Sequence, residues 1–267
     1  MILRLPQGYR RLKTLRGTAV AQERIALAVQ AILETSPLYE WAATHPDRRT
    51  FQGRAPVYSA PLPDGTRIVV RHGHRGGWLA PILGDLYLPP TGAPFELMIA
   101  HVLARAGVPT PELLAYATYP ALGIFRRVDV ATAELSGVDL RSALEQAISD
   151  VDRNVLLPTL AHLLASLSAV GAWHPDLNLK NILLVSAGSA APTATVLDVD
   201  RIRFAPPSDP NVLEANLGRL ARSSDKWTRS GGRGLTRGEL DTIRALANTE
   251  EAKRATSAPD PATAGDP

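Results

Sequence analysis

The 267-residue sequence contains no cysteine. That excludes disulfide stapling, thiolate catalysis, cysteine-ligated zinc and iron–sulfur clusters. Lysine is almost as scarce: Lys13, Lys180, Lys226 and Lys253 are all there are, so arginine carries nearly all the positive charge. Aromatic residues make up only 5% of the chain, and just Tyr9 and Trp227 interleave with its basic clusters. No stacking platform for bases results, and no nucleic acid is expected as a partner. The basic N-terminus is followed by no uninterrupted apolar stretch, so no secretory signal is expected. A charge-free run, residues 155–173, approaches spanning length but contains Pro158, His162 and two serines. It reads as a helix buried inside a domain, not as a membrane span.

At 45% hydrophobic and 21% charged residues the chain has the material for a core, and its 20 glycines and 22 prolines point to many turns. The formal net charge is +3, unevenly spread. Arg4, Arg10, Arg11, Lys13, Arg16 and Arg24 face Glu23 alone in the first 24 residues. Between 219 and 237, Arg219, Arg222, Lys226, Arg229, Arg233 and Arg237 face only Asp225. Each cluster reads either as solvated surface or as attraction toward an anionic partner such as a lipid headgroup.

Hydrophobic periodicity predicts helices over 18–35 and 95–106, the second with Phe95, Met98, Ile99, Val102, Leu103 and Ala106 on one stripe and Gly107 and Pro109 closing it. Asp64-Gly65 between two β-prone runs predicts a hairpin. Further strands are expected near 113–118, 122–130, 182–185 and 194–198, and helices over 138–148, 155–171, 211–222 and 236–248. Strands with one prominent helix, then mostly helices, make an α+β chain of two lobes. The expected division is a helical N-terminal extension over 1–50, a β-rich lobe over 51–130, a helical lobe over 131–250 and a disordered tail over 251–267, which lacks large apolar residues.

The segment that carries chemistry is His174-Pro-Asp176-Leu-Asn178-Leu-Lys180-Asn181, between the charge-free helix and a strand, followed on the next hairpin by Leu197-Asp198-Val199-Asp200. Phosphoryl transfer to a hydroxyl needs this set. One carboxylate takes the proton of the acceptor, while a carboxamide oxygen and a second carboxylate hold Mg²⁺ on the phosphates of ATP. Mg²⁺ prefers hard oxygen ligands, which Asn and Asp supply. Asp176 is the candidate base, with Asn181 and Asp198 as the candidate metal ligands. Asp200 is either a further ligand or a partner of Arg201 or Arg203.

This pattern resembles the protein-kinase-like superfamily, whose loop reads H-x-D-L-x-x-x-N and whose metal strand ends in Asp. The resemblance implies a bilobal kinase-like fold, with 51–130 as the nucleotide-binding lobe. It also implies a cation on the third strand of that lobe, touching ATP and paired with a Glu on the following helix. No lysine lies in the first-lobe hairpin, so Arg71 is the candidate cation and Glu96 its partner. Gly53, in Phe51-Gln-Gly-Arg-Ala55, stands where a nucleotide-covering loop belongs, with one glycine in place of three.

The chain departs from protein kinases at Asn178, where those enzymes have Lys, in carrying Val-Asp after Asp198 in place of Phe-Gly, and in lacking an A-P-E anchor. The phrases V-R-H-x-x-R-G-G (70–77) and G-D-L-Y-L (84–88), with D-L-N-x-x-N-I-L-L and L-D-x-D-R, look like the lipopolysaccharide-core sugar kinases acting on 3-deoxy-D-manno-octulosonic acid (Kdo). Such a resemblance, over about 52–205, implies ATP as donor and a Kdo hydroxyl on a lipid-linked or free sugar as acceptor. It further implies a cytoplasmic protein, peripheral on the inner membrane, whose anionic surface the basic clusters suit. Two other readings share the central motif: a small-molecule kinase of the aminoglycoside/choline phosphotransferase type, and a nucleotide-binding pseudokinase without turnover.

Overall fold

The computed structural model describes residues 4–51, 55–73, 84–146, 153–186 and 191–257. The chain divides into two compact units, one of Met1–Val102 with Pro111–Leu135, the other of Leu103–Thr110 with Ser136–Pro267.

The first unit is a seven-stranded antiparallel sheet. Its strands in chain order are β1 (Tyr9–Thr14), β2 (Gly17–Gln22), β3 (Arg49–Phe51), β4 (Val57–Pro61), β5 (Arg67–His72), β6 (Leu113–Ala121) and β7 (Phe125–Ala133). They lie side by side in the order β1-β2-β6-β7-β5-β4-β3. Asp64-Gly65 makes the expected turn between β4 and β5: Asp64 Oδ1 accepts the Thr66 N–H at 2.9 Å and Gly65 takes φ 83°. Helices α1 (Ala26–Thr35) and α2 (Leu38–Thr44) share a core with one face of the sheet, through Val29, Leu33 and Leu38 beside Leu12, Ala19, Ala117 and Ile68. The period of two in the strands decides which side chains reach that core.

Residues 18–35 are therefore not one helix. Gly17–Gln22 is a strand, and the helix starts at Ala26. The alanines of 17–22 have helical propensity, but pairing with β6 (Thr18 opposite Thr118, Ala21 opposite Ala115) overrides it. The segment before residue 51 accordingly contributes three strands to the sheet as well as two helices, and is more than a helical extension. Helix α3 (Ala93–Arg105) forms where the apolar stripe predicts it, and Gly107 ends it at φ 73°.

The second unit is mostly helical: α4 (Leu140–Gln146), α5 (Arg153–Ala169), α6 (Pro210–Arg229) and α7 (Arg237–Ser257). Short strands β8 (Gly137–Asp139), β10 (Ile182–Val185) and β11 (Thr193–Val196) form one small sheet, while β9 (Ala172–Trp173) pairs with β12 (Arg203–Phe204). The charge-free run is a core helix, with Leu156, Leu160, Leu163, Leu164 and Leu167 all buried. Among the described residues no helix is long and apolar enough to cross a membrane. Helix α7 runs past the expected end at 248, because Arg254 Nη2 donates to Ser166 Oγ on α5 at 2.9 Å and ties the last turns down. Of the expected disordered tail, 258–267 lies outside the described residues.

Candidate active site

The loop 174–181 is built from its backbone outward. Helix α5 stops at Gly171, whose φ of 69° suits glycine and whose missing Cβ makes room for the Ala205 carbonyl. The chain then pairs as β9 with β12 and enters the loop at His174. His174 is wholly buried: Nε2 donates to the Leu197 carbonyl at 3.0 Å, and Nδ1 accepts the Asp176 N–H at 3.2 Å. It is a strut between the loop and the following hairpin, not a proton donor to a ligand.

A second strut comes from α6. The buried carboxamide of Asn216 accepts the His174 N–H at 2.9 Å and donates to the Ala172 carbonyl at 2.9 Å. Nothing in the motif pointed to this residue. Its signal lay in α6 itself, where Asn216 interrupts the buried stripe Val212, Leu213, Leu217, Leu220. A polar side chain on an apolar face needs a buried partner.

Inside the loop, Asn178 Oδ1 caps the tight turn Leu179–Asn181 by accepting the N–H groups of Lys180 (2.9 Å) and Asn181 (3.2 Å). Its Nδ2 donates to the Asp176 carbonyl at 3.0 Å, and Asn181 Nδ2 donates to the same oxygen at 2.9 Å. The Asp176 backbone is thus held by His174, Asn178 and Asn181, while its carboxylate stays half-exposed with Arg219 Nη2 3.3 Å from Oδ1. With the nitrogen of Asn181 committed, its carboxamide oxygen is the end left to serve as a ligand. The Leu197 N–H donates to the Asn181 carbonyl at 2.8 Å and couples the loop to Asp198.

Asp198 is exposed and adopts left-handed backbone angles, φ 57° and ψ 52°, a conformation that short polar side chains tolerate better than most. Asp200 follows in the turn Val199–Arg201, also exposed. The donor set of Asn181 and Asp198 is all hard oxygen and fits Mg²⁺. Among the described residues no group of three or more His, Asp or Glu side chains could hold a metal alone. A cation here would complete its shell with phosphate or water oxygens, as Mg²⁺ at nucleotide sites does.

A cleft of about 580 Å³ opens beside Asp176. Arg141, Lys180, Arg219, Arg222 and Lys226 line it, and among the described residues Asp176 is its one carboxylate. Arg219, Arg222 and Lys226 recur at i, i+3 and i+7 on one face of α6. Arg141 lies over the Trp227 ring, 3.3 Å from its centroid. The basic cluster of 219–237 is thereby split, since Arg229, Arg233 and Arg237 line a different cleft.

In the first unit Arg71, near the end of β5, forms an ion pair with Glu96 in the first turn of α3, and Glu96 is buried. The neighbouring His72 points to the opposite face and is gripped at both nitrogens, Nδ1 by Asp129 Oδ1 at 2.6 Å and Nε2 by Asp85 Oδ2 at 3.1 Å. Burial alone would push the imidazole down, but these two carboxylates outweigh it and hold its pKa above 6.5. Burial pushes Asp85 up, while His72 and Arg127, 2.5 Å away, bring it net below its ordinary range. Gly53 and the glycines 76–77 lie outside the described residues.

Residues 49–238 match the model of the "Lipopolysaccharide kinase (Kdo/WaaP) family". Two curated relatives carry the name 3-deoxy-D-manno-octulosonic acid kinase. The protein of Xylella fastidiosa (strain M12) is 30% identical over 159 residues, 58% of this chain and 60% of its own length. That of Vibrio vulnificus (strain YJ016) is 28% identical over 192 residues, 70% of this chain and 76% of its own. The chain thus covers about three-fifths of the Xylella relative. A solved structure, "WaaP in complex with acyl carrier protein", superposes with a TM-score of 0.55 at 17% identity, covering 86% of this chain and 88% of that one. At that identity the likeness speaks for the kinase-like fold alone.

Proposed function

The chain belongs to the lipopolysaccharide kinase (Kdo/WaaP) family, and from that premise we propose that it transfers the γ-phosphate of ATP to a hydroxyl of an anionic sugar, Kdo of a lipopolysaccharide precursor. The observation that carries the reading is the Asp176 loop: a carboxylate held out half-exposed on a backbone fixed by His174, Asn178 and Asn181.

In the proposed reaction the acceptor oxygen bonds to the γ-phosphorus, the bond to the bridging oxygen of ADP breaks, and Asp176 takes the hydroxyl proton. A divalent cation on the phosphates would neutralise the charge that develops there, held by the Asn181 carboxamide oxygen and the Asp198 carboxylate. Arg71 is assigned to the nucleotide phosphates, where a guanidinium can make two parallel contacts in place of the single point charge of lysine. Glu96 holds Arg71 in place. Gly53 is assigned to the loop covering the nucleotide, and Asp200 to the surroundings of the metal.

The cation-lined cleft favours this acceptor over its rivals. Aminoglycosides and choline are cations, and five positive side chains around Asp176 oppose them. A sugar carrying a carboxylate or phosphate is attracted instead. Arg219 also has a buried Nε–H with no acceptor among the described residues, a donor that an anionic ligand can take up. A lipid-linked acceptor would place the protein on the cytoplasmic face of the inner membrane.

The test is labelled γ-phosphate transfer from Mg-ATP to a Kdo-bearing lipid A precursor, to free Kdo, and to a panel of aminoglycosides and choline. Label on the Kdo acceptors, with Arg222→Glu raising the acceptor KM about tenfold or more and leaving the ATP KM in place, is the expected result. Label on a cationic acceptor alone would overturn the acceptor assignment and keep the chemistry. ATP binding with no transfer to any acceptor would favour a pseudokinase.

A further inference from the structure

Three large apolar side chains of the first unit are mostly exposed to water: Leu15 is 97% exposed, Leu122 75% and Ile124 68%. One exposed leucine is ordinary on a protein surface. These three share one end of the sheet. Leu15 is in the two-residue turn between β1 and β2, and Leu122 and Ile124 are in the three-residue turn between β6 and β7. Thr18 opposite Thr118 sets the β1–β2 turn beside the end of β6, and Leu15, Arg16, Pro120 and Arg127 line one cleft there together with Glu40, Asp85 and Asp129, of which Asp85 and Asp129 are paired with Arg127 and His72.

The residue choice at these tips runs against local backbone preference. Turns favour Gly, Asn, Asp and Ser. Here one tip is Leu-Arg and the other Leu-Gly-Ile. Leu122 has φ 37°, a left-handed conformation that a leucine resists more than glycine or asparagine would. Keeping a water-exposed leucine in that conformation makes sense if its side chain is covered by something when the protein works.

The charge around the tips identifies the cover. Residues 4–22 contain Arg4, Arg10, Arg11, Lys13 and Arg16 and no Asp or Glu; residues 113–128 contain Arg126 and Arg127 and again no acid. Arg10, Arg11, Lys13 and Arg16 are exposed. Arg126 binds its own turn, donating to the Phe125 carbonyl at 2.8 Å, Arg127 pairs with Asp85, and Arg16 donates to the Thr35 carbonyl, so Arg10, Arg11 and Lys13 of the first hairpin supply most of the uncommitted charge among the described residues here. Apolar tips flanked by cations match a bilayer with anionic headgroups: the tips enter the acyl boundary and the arginines stay among the phosphates.

We propose that the paired tips Leu15 and Leu122–Ile124, with the basic face of the first hairpin, dock the first unit onto an anionic lipid bilayer. Docking is read without nucleotide or acceptor, so it stands or falls separately from the transfer reaction.

The experiment is co-sedimentation of the full chain with vesicles of phosphatidylcholine, with and without phosphatidylglycerol. The parent should pellet with the anionic vesicles and not with the neutral ones. Raising salt to about 0.5 M should release it, because exposed charges are screened there. The triple variant L15S/L122S/I124S and the charge variant R11Q/K13Q should each cut the bound fraction about tenfold at unchanged melting temperature. Because the chain has no cysteine, Ile124→Cys offers one site for a polarity-sensitive dye. Its emission should shift blue on anionic vesicles, while a dye at Leu27→Cys, 74% exposed on α1, should not shift. Equal binding to neutral vesicles, undiminished binding by the triple variant, or an unshifted dye at 124 would overturn the proposal. So would concentration-dependent self-association of the parent that the triple variant abolishes, since the tips would then cover a second copy.

Discussion

Replacing Asn216 by alanine should unsettle a loop that the residue never enters. Asn216 is fully buried on α6 and makes two hydrogen bonds, to the His174 N–H and the Ala172 carbonyl, each 2.9 Å long. Alanine leaves both backbone groups unpaired away from water, at about 1–3 kcal/mol each. Together they predict a loss of about 2–6 kcal/mol, a large part of the 5–15 kcal/mol that holds a typical domain together. Asn216→Asp should cost at least as much as alanine, because it buries a carboxylate with one oxygen against the Ala172 carbonyl, which it cannot donate to. The assay is urea denaturation of the parent and both variants, paired with transfer rates under conditions where all remain folded. Since the His174 backbone is one end of the strut that fixes Asp176, kcat should fall about tenfold or more while the ATP KM moves little. An alanine variant within about 0.5 kcal/mol of the parent, with unchanged kcat, would refute the strut.

In the first unit, Arg71→Ala should raise the ATP KM about tenfold or more, because it removes the assigned phosphate contact and the ion pair with buried Glu96. Arg67→Ala, four residues earlier and bound to Glu134 at 2.8 Å, should leave that KM in place; equal effects would place the nucleotide contact elsewhere. The His72 cluster predicts a pH dependence of stability. A pKa held above 6.5 in the folded state means the contribution of His72 is complete below about 6.5 and is lost as pH rises through the folded value. The His72→Gln variant should flatten that alkaline decline in the urea midpoint, and a decline of the same slope in the variant would assign it to another group.

How far these features were legible differs from place to place. The loop 174–181 is legible because the chemistry demands particular residue types at close spacing, and each of them turns its backbone or amide inward to hold Asp176. Arg71 with Glu96 was implied by the kinase-like resemblance, which calls for a strand cation and a helix Glu, and the absence of lysine from that hairpin pointed to Arg71. The strand 17–22 was hidden by its own composition: alanine at 19 and 21 reads as helix, and only the long-range partner β6 decides otherwise. Asn216 and the cations at 219, 222 and 226 were obscured for a different reason. Their roles depend on α6 packing against the loop from about forty residues away in sequence, which no local pattern records. The extension of α7 to Ser257 likewise rests on a contact between Arg254 and Ser166 that composition does not reveal.

The central claim is that Asp176 is the base of a phosphoryl transfer to an anionic sugar. It is tested most directly by single-turnover transfer of labelled γ-phosphate from Mg-ATP to a Kdo-bearing precursor, comparing the parent with Asp176→Asn. The substitution is nearly isosteric and the loop is held through the Asp176 backbone, so the variant should fold and bind ATP as the parent does. Its transfer rate should drop about a hundredfold or more, the range expected when a general base is removed. A variant that folds, binds ATP and transfers at the parent rate would contradict the account.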